Sequence, residues 1–202
     1  MRVDLTTRVQ SRQVGAKAEQ ILENAAELFD RFGYNAVSVD EIASSVGIRK
    51  PTLYHYFSNK HEILFGLHET FINLLIEKAE ARSSDVPAPE SLREMMTDIL
   101  ELMHTHRGYV RVFFEHYREL PSDDQQTIKK KRDLYEQMVE TTIQRGISEG
   151  DFRDLDPRLV TLAVFGICNW AYQWYRADGS YTYRELANFF ADVLFNGLKE
   201  QK

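Results

Sequence analysis

The chain has 202 residues, 43% of them hydrophobic and 28% charged, which suffices for one sizeable core with a small satellite unit and excludes disordered and collagen-like classes. Its net charge of −6 hides an asymmetry: residues 1 to 60 hold 8 Lys+Arg against 7 Asp+Glu, whereas residues 61 to 202 hold 17 against 24. A near-neutral head on an acidic body confines any polyanion partner to the N-terminal segment.

Residues 1–13, with Arg2, Arg8 and Arg12 against Asp4, read as a flexible arm able to follow a nucleic-acid backbone or to do nothing. From 14 to 32, Ile21, Leu22, Ala25, Leu28, Phe29 and Phe32 recur at steps of three and four, predicting an amphipathic helix that Gly33 ends. Ser38 and Glu41 form a capping box ahead of Ile42, Ala43 and Val46, and Gly47 closes this short helix. Ile48 resumes the apolar pattern, Pro51 suits a first helical turn, and Leu53 and Phe57 share an inward face. Long periodicity from Lys60 to Ala81 predicts a connector helix. Further helices are expected at about 90 to 106, 108 to 119, 122 to 149, 157 to 176 and 182 to 199, between Gly and Pro breakers. The expected fold is therefore all-α, with a helix-turn-helix head over 1–60 and a helical body over 61–202.

The last apolar run, Leu159 to Tyr175, is 17 residues long and carries Thr161, Asn169 and Gln173, which favours a buried helix over a membrane span. A single cysteine, Cys168, and the lack of an apolar leader point to a reducing interior, the cytoplasm.

Two short helices joined through Val46-Gly47-Ile48 and docked on a longer one could place the second helix in a major groove. With Leu53 and Phe57 inward, Arg49, Lys50, Thr52, His55 and Tyr56 face out. All are hydrogen-bond donors, and no Asp or Glu occurs from Ile48 to Lys60 to repel phosphate.

At Gly33-Tyr34, Ser38, Ile42-Ala43, Val46-Gly47-Ile48, Thr52-Leu53-Tyr54-His55-Tyr56-Phe57 and Lys60 the sequence resembles the tetracycline-repressor (TetR) family of bacterial transcription regulators. The resemblance implies phosphate contacts from Ser38, Thr52, Tyr56 and Lys60, and base-edge contacts from Arg49, Lys50, Pro51, Tyr54 and His55. Many members carry a small hydroxyl residue where this chain has Arg49. Arginine cannot cap the recognition helix, but its guanidinium suits guanine O6 and N7. The resemblance further implies a homodimer on a palindromic double-stranded operator, a repressor released by a small-molecule effector, with no enzymatic activity and no cofactor. It places the subunit interface on the last two helices, where Phe189, Phe190, Leu194 and Gly197 stand. The alternative class is a helical carrier or enzyme without DNA binding, which would have no need of the donor-rich, acid-free Ile48 to Lys60 segment.

Other features read as structural. His104 and His106 follow Glu101 but supply only one Glu-x-x-His step, short of a di-iron bundle site. Cys168 reads as a small buried hydrophobe, Trp170 and Trp174 as packing, and Lys129-Lys130-Lys131-Arg132 as a solvated turn. Asn169 and Gln173 are the exception. Four apart with Phe165 on one face of an apolar helix, they need polar partners, so that stripe faces a pocket or another subunit. The pocket version expects Phe71, Met103, Phe113 and Tyr117 as further lining. The segment Glu149-Gly150-Asp151-Phe152-Arg153 to Asp156-Pro157, with Trp174-Tyr175-Arg176 and Gly179, resembles the branch of the family that senses acyl-coenzyme A thioesters. Such ligands carry phosphates, for which Arg107, Arg111, Arg118 or Arg176 would be the cations. An uncharged lipid, fatty acid or other apolar compound is the remaining option.

Overall fold

The structure, a computed structural model, describes the chain from Leu5 to Leu198, and its side chains from Gly15 to Gly197. The described residues form α-helices and two 3-10 turns, without a strand. The head comprises α1 (Leu5–Phe32), α2 (Val39–Ser45) and α3 (Lys50–Leu53), and α4 (Lys60–Glu80) leads out of it. The body adds α5 (Ala88–Thr105), α6 (Arg107–Glu115), α7 (Ser122–Glu149), α8 (Pro157–Trp170) and α9 (Tyr183–Leu198), with 3-10 turns at Tyr117–Glu119 and Ala171–Gln173.

Local signals set most of these ends. Gly33 and Gly47 take positive φ of 81° and 69°, a region that favours glycine, directly after α1 and α2. Ser38 caps α2 reciprocally with Glu41: the Glu41 backbone N–H donates to the Ser38 hydroxyl at 3.2 Å, and the Ser38 backbone N–H donates to the Glu41 carboxylate at 2.7 Å. The latter bond, first, and the Ser38 hydroxyl after it hold the Glu41 carboxyl below its usual range. Asn59 caps α4 and Asp156 caps α8 in the same sense.

Helix α1 starts nine residues earlier than the apolar pattern predicts, because no Pro or Gly interrupts Leu5 to Gln13 and a helix can outrun its buried stripe. The expected arm is thus helical backbone from Leu5, while Arg2 and Asp4 and the side chains of Arg8 and Arg12 lie outside the described residues.

One continuous core runs from Ile21 to Phe195 through head and body. Helix α6 joins the two parts, packing on α1 and on α4. Its Gly108 lies so close to α1 that a Cβ there would stand 2.8 Å from the Ala26 carbonyl oxygen. One turn on, Arg111 reaches the Asp30 carboxylate at 2.8 Å and pairs with Glu115 on its own helix.

Candidate functional site

The α2–α3 unit presents a polar outer edge on a buried base. Leu53 is wholly buried, Phe57 and Ile48 are half-buried, and Arg49, Pro51, Thr52, Tyr54 and His55 are exposed. Arg49 is the N-cap of α3 and makes no side-chain capping bond, as its chemistry requires. Its guanidinium has no acidic partner among the described residues. Helix α3 spans a single turn. The backbone then winds on through Tyr56 N–H to Leu53 C=O (2.9 Å) and Phe57 N–H to Leu53 C=O (3.1 Å), so Tyr54 and His55 ride on a tightened turn beyond the helix.

Two cations of this edge are already engaged. Lys50 donates to Asp40 at 2.7 Å, so folding brings a carboxylate from α2 beside a segment that has none in its own sequence. The Lys60 ammonium donates to the Tyr34 carbonyl and lies 4.1 Å from the Tyr34 ring centroid, and desolvation pulls its pKa down. Lys60 therefore ties α4 to the α1–α2 loop. Tyr34 in turn donates or accepts at 3.1 Å with His61 Nδ1, and burial pushes its hydroxyl up to about 12.

In the body, a cavity of about 200 Å³ lies among α4, α5, α6, α7 and α8. Four expected residues line it: Phe71, Phe113, Phe165 and Asn169. The other three do not. Met103 borders a separate, much smaller pocket. Tyr117 donates its hydroxyl to the Gln125 carbonyl at 2.7 Å on the α6–α7 connection. Gln173 is exposed, because α8 stops at Trp170 and the 3-10 turn that follows has three residues per turn, which breaks the i, i+4 register with Asn169.

Several lining groups escaped sequence reasoning: Ile72, Leu75, Ile99, Phe114, Tyr135, Leu162 and, above all, Arg132 and Glu136. The basic run containing Arg132 lies within α7, and Lys129, Lys130 and Arg132 are exposed as expected of a solvated run, but its charges are not all idle. Lys129 pairs with Asp133, Lys131 donates to Glu69 and Asn73, and Arg132 lies over Phe113 (5.2 Å) and Tyr117 (5.5 Å) beside the cavity. Helical spacing of Arg132, Tyr135 and Glu136 on one face of α7 was the available signal.

The four arginines expected to serve phosphates are placed elsewhere. Arg111 is bound to Asp30 and Glu115, Arg176 pairs with Asp178 at 3.0 Å on an exposed loop, and neither Arg107 nor Arg118 borders the 200 Å³ cavity. The 149–157 segment is the α7–α8 connection: Gly150 closes α7 at φ 82°, Phe152 packs on Gly146, and Pro157 opens α8. Its motif shapes a turn, away from the cavity lining.

Cys168 is fully buried and its thiol is pushed up to about 12 by that burial. His104 bonds the Tyr175 hydroxyl at 3.0 Å. The tryptophans expected to be packed are exposed instead, Trp170 at 65% and Trp174 at 46%. They continue an open apolar face on α8 and α9 that includes Leu159, Leu162, Phe189 and Val193. Of the four residues expected at an interface, Phe189 and Gly197 lie on this open face, whereas Phe190 and Leu194 are half-buried against the chain's own core.

Residues 85–198 match the family model "Tetracyclin repressor-like, C-terminal domain", and residues 21–67 match "Bacterial regulatory proteins, tetR family". The chain is 26% identical over 192 residues to the HTH-type transcriptional repressor KstR2 of Mycobacterium tuberculosis, covering 94% of this chain and 96% of that one. It is 26% identical over 190 residues to the fatty acid metabolism regulator protein of Bacillus subtilis, covering 93% and 98%. Among solved structures, the TetR family regulator PfmR from Thermus thermophilus superposes with a TM-score of 0.84 at 29% identity, over 89% of this chain and 99% of that one. AibR in complex with isovaleryl coenzyme A and operator DNA gives 0.79 at 26% identity, over 89% and 98%.

Proposed function

The chain belongs to the TetR family of bacterial regulatory proteins, a DNA-binding transcriptional regulator and not an enzyme, and from that premise we propose a homodimeric repressor released from a palindromic operator by a small acyl-derived effector. Residues 1–60 act as the DNA-binding unit, and residues 61–202 bind the effector and form the dimer. The cytoplasm is the compartment this role requires, and among the described residues no helix is long and apolar enough to cross a membrane.

The observation that carries the reading is the α3 edge, where Arg49, Thr52, Tyr54 and His55 stand exposed around a buried Leu53. Arg49 reads guanine, while Ser38, Thr52 and Tyr56 position the phosphate backbone. Lys50 and Lys60 join them by exchanging Asp40 and the Tyr34 carbonyl for phosphate oxygens. A single short recognition element reads few base pairs, so two half-sites about 34–36 Å apart, or somewhat more, are needed for useful affinity.

Dimerisation through the open α8–α9 face supplies the second half-site reader. The effector, by preferring a body conformation with altered head spacing, lowers operator affinity by its differential affinity for that state. Helix α6 is placed to transmit this: Phe113 borders the cavity while Gly108 and Arg111 touch α1. The acyl class of effector rests on the named relatives, one a fatty acid regulator and one a structure holding isovaleryl coenzyme A.

Selection of bound sequences from random DNA tests the reading. An inverted repeat protected as one symmetric footprint, and released by an acyl thioester or acid, is expected. A non-symmetric footprint, or no sequence preference, overturns it.

A further inference from the structure

Resting on the effector reading above, we infer that the ligand is a small anionic amphiphile that enters tail-first: a branched or single-ring acyl group fills the cavity, and its carboxylate, or the thioester carbonyl of its coenzyme A conjugate, meets Arg132 at the mouth. Volume limits the tail. The cavity holds about 200 Å³. Drug-sized ligands occupy roughly 300–1,000 Å³, and an apolar cavity of about 150 Å³ accommodates benzene. Walls from Phe71, Leu75, Ile99 and Phe113 suit an apolar tail of that size. A long straight chain or a fused sterol skeleton would require the helices to part.

Charge defines the other end. Among the described residues Arg132 has no carboxylate within ion-pair distance, although its neighbours Lys129 and Lys131 both do. Glu136, one turn along α7 and also on the cavity, lies 4.0 Å from Arg158 instead. The Arg132 guanidinium is held over Phe113 and Tyr117 by its stacking, with its donors unspent. A planar fork without a counter-ion beside an apolar cavity is suited to a carboxylate, which it can engage through two parallel N–H bonds, and more weakly to a carbonyl oxygen.

Calorimetry on the full chain, paired with release of a selected operator fragment, distinguishes the possibilities. The probes are isovaleryl-, benzoyl- and palmitoyl-coenzyme A, the three free acids and coenzyme A alone. An isovaleryl or benzoyl compound is expected to bind at least tenfold more tightly than its palmitoyl counterpart, with the acid and thioester arms telling a carboxylate head from a thioester carbonyl. Arg132→Gln should weaken that binding at least tenfold while leaving dimerisation and operator affinity unchanged, and Arg132→Lys should restore only part of it. Equal binding of the palmitoyl compound, equal binding of coenzyme A alone, or an unaltered Arg132→Gln variant overturns the inference and leaves the effector reading standing. A chain that binds its operator yet is released by none of the probes overturns both.

Discussion

The head and the body build their working surfaces in opposite ways. In the head, the candidate DNA edge comes from neighbouring residues, Arg49 to Tyr56, raised on one turn of helix whose only wholly buried member is Leu53. In the body, the cavity gathers residues from Phe71 to Asn169, contributed by five helices. The head exposes polar groups on its surface, and the body gathers mostly apolar ones around a space that Arg132, Glu136 and Asn169 also border. A surface made from one stretch of chain tolerates motion of the rest, whereas a cavity shared among helices changes whenever any of them shifts. That difference suits the first to recognition and the second to switching.

The largest effect expected from breaking this division is loss of the dimer. Phe189→Asp and Gly197→Asp both place a charge on the open α8–α9 face. Phe189 is 63% exposed, and Gly197 has open space where a Cβ would go, so neither should unfold the protomer. A buried unpaired charge costs about 3–5 kcal/mol, so monomers in sedimentation and an operator affinity reduced by at least a hundredfold are expected. Dimers persisting in both variants would move the interface elsewhere.

Arg49→Ala tests the head alone. It should cost about 1–3 kcal/mol on the selected operator and relax preference at one symmetric pair of positions, with little change on random DNA. Equal losses on both, measured by anisotropy, would reduce Arg49 to a backbone contact.

Gly108→Ala tests the join between the two parts. Its new methyl would press on the Ala26 carbonyl, backbone that cannot rotate away, and overpacking of this kind costs about 1–3 kcal/mol. A lowered denaturant midpoint is expected, and an unchanged one would show that α6 slides freely on α1.

His68 sharpens the contrast from inside the body. It is wholly buried on α4 with both ring nitrogens unpartnered, and burial first, then the charges of Arg132 and His116, press its pKa down to about 3. The unfolded chain titrates near 6.5, so it takes up the proton first as pH falls. The stability tied to neutral His68 is intact above about pH 6.5 and declines toward pH 3 by up to about 1.4 kcal/mol per unit. His68→Leu should flatten that slope in urea titrations between pH 7 and 5, and a slope equal to wild type would exclude His68 as its source. The smallest effect belongs to Gln173→Leu: exposed on its 3-10 turn, it should leave effector response within twofold of wild type, while Asn169→Leu, on the cavity, weakens it.

The head was legible because its signals are short-range. The capping box of Ser38 and Glu41, the glycines at 33 and 47 and the proline at 51 act within a few residues, where spacing along the chain equals spacing in space. The ends of α7 at Ser122 and Glu149 followed from Pro121 and Gly150 for the same reason, and the buried side of α1 followed from its period as far as Phe29, whereas Phe32, at the end of the helix, is 54% exposed.

Contacts between distant residues carried no such mark. That Lys50 meets Asp40, that the Lys60 ammonium turns onto Tyr34, and that Gly108 sits against Ala26 became visible only once the helices were docked. The same holds for Arg132, which sequence assigns to a polar run and packing delivers to the cavity beside Phe113. Periodicity gives the faces of a helix, but which face meets an empty space depends on the crossing of helices far apart in the chain. The turn at Ala171–Gln173 shows the limit within one element: one tightened turn, set by how α8 ends against its neighbours, sent Gln173 to solvent and left Asn169 at the cavity alone.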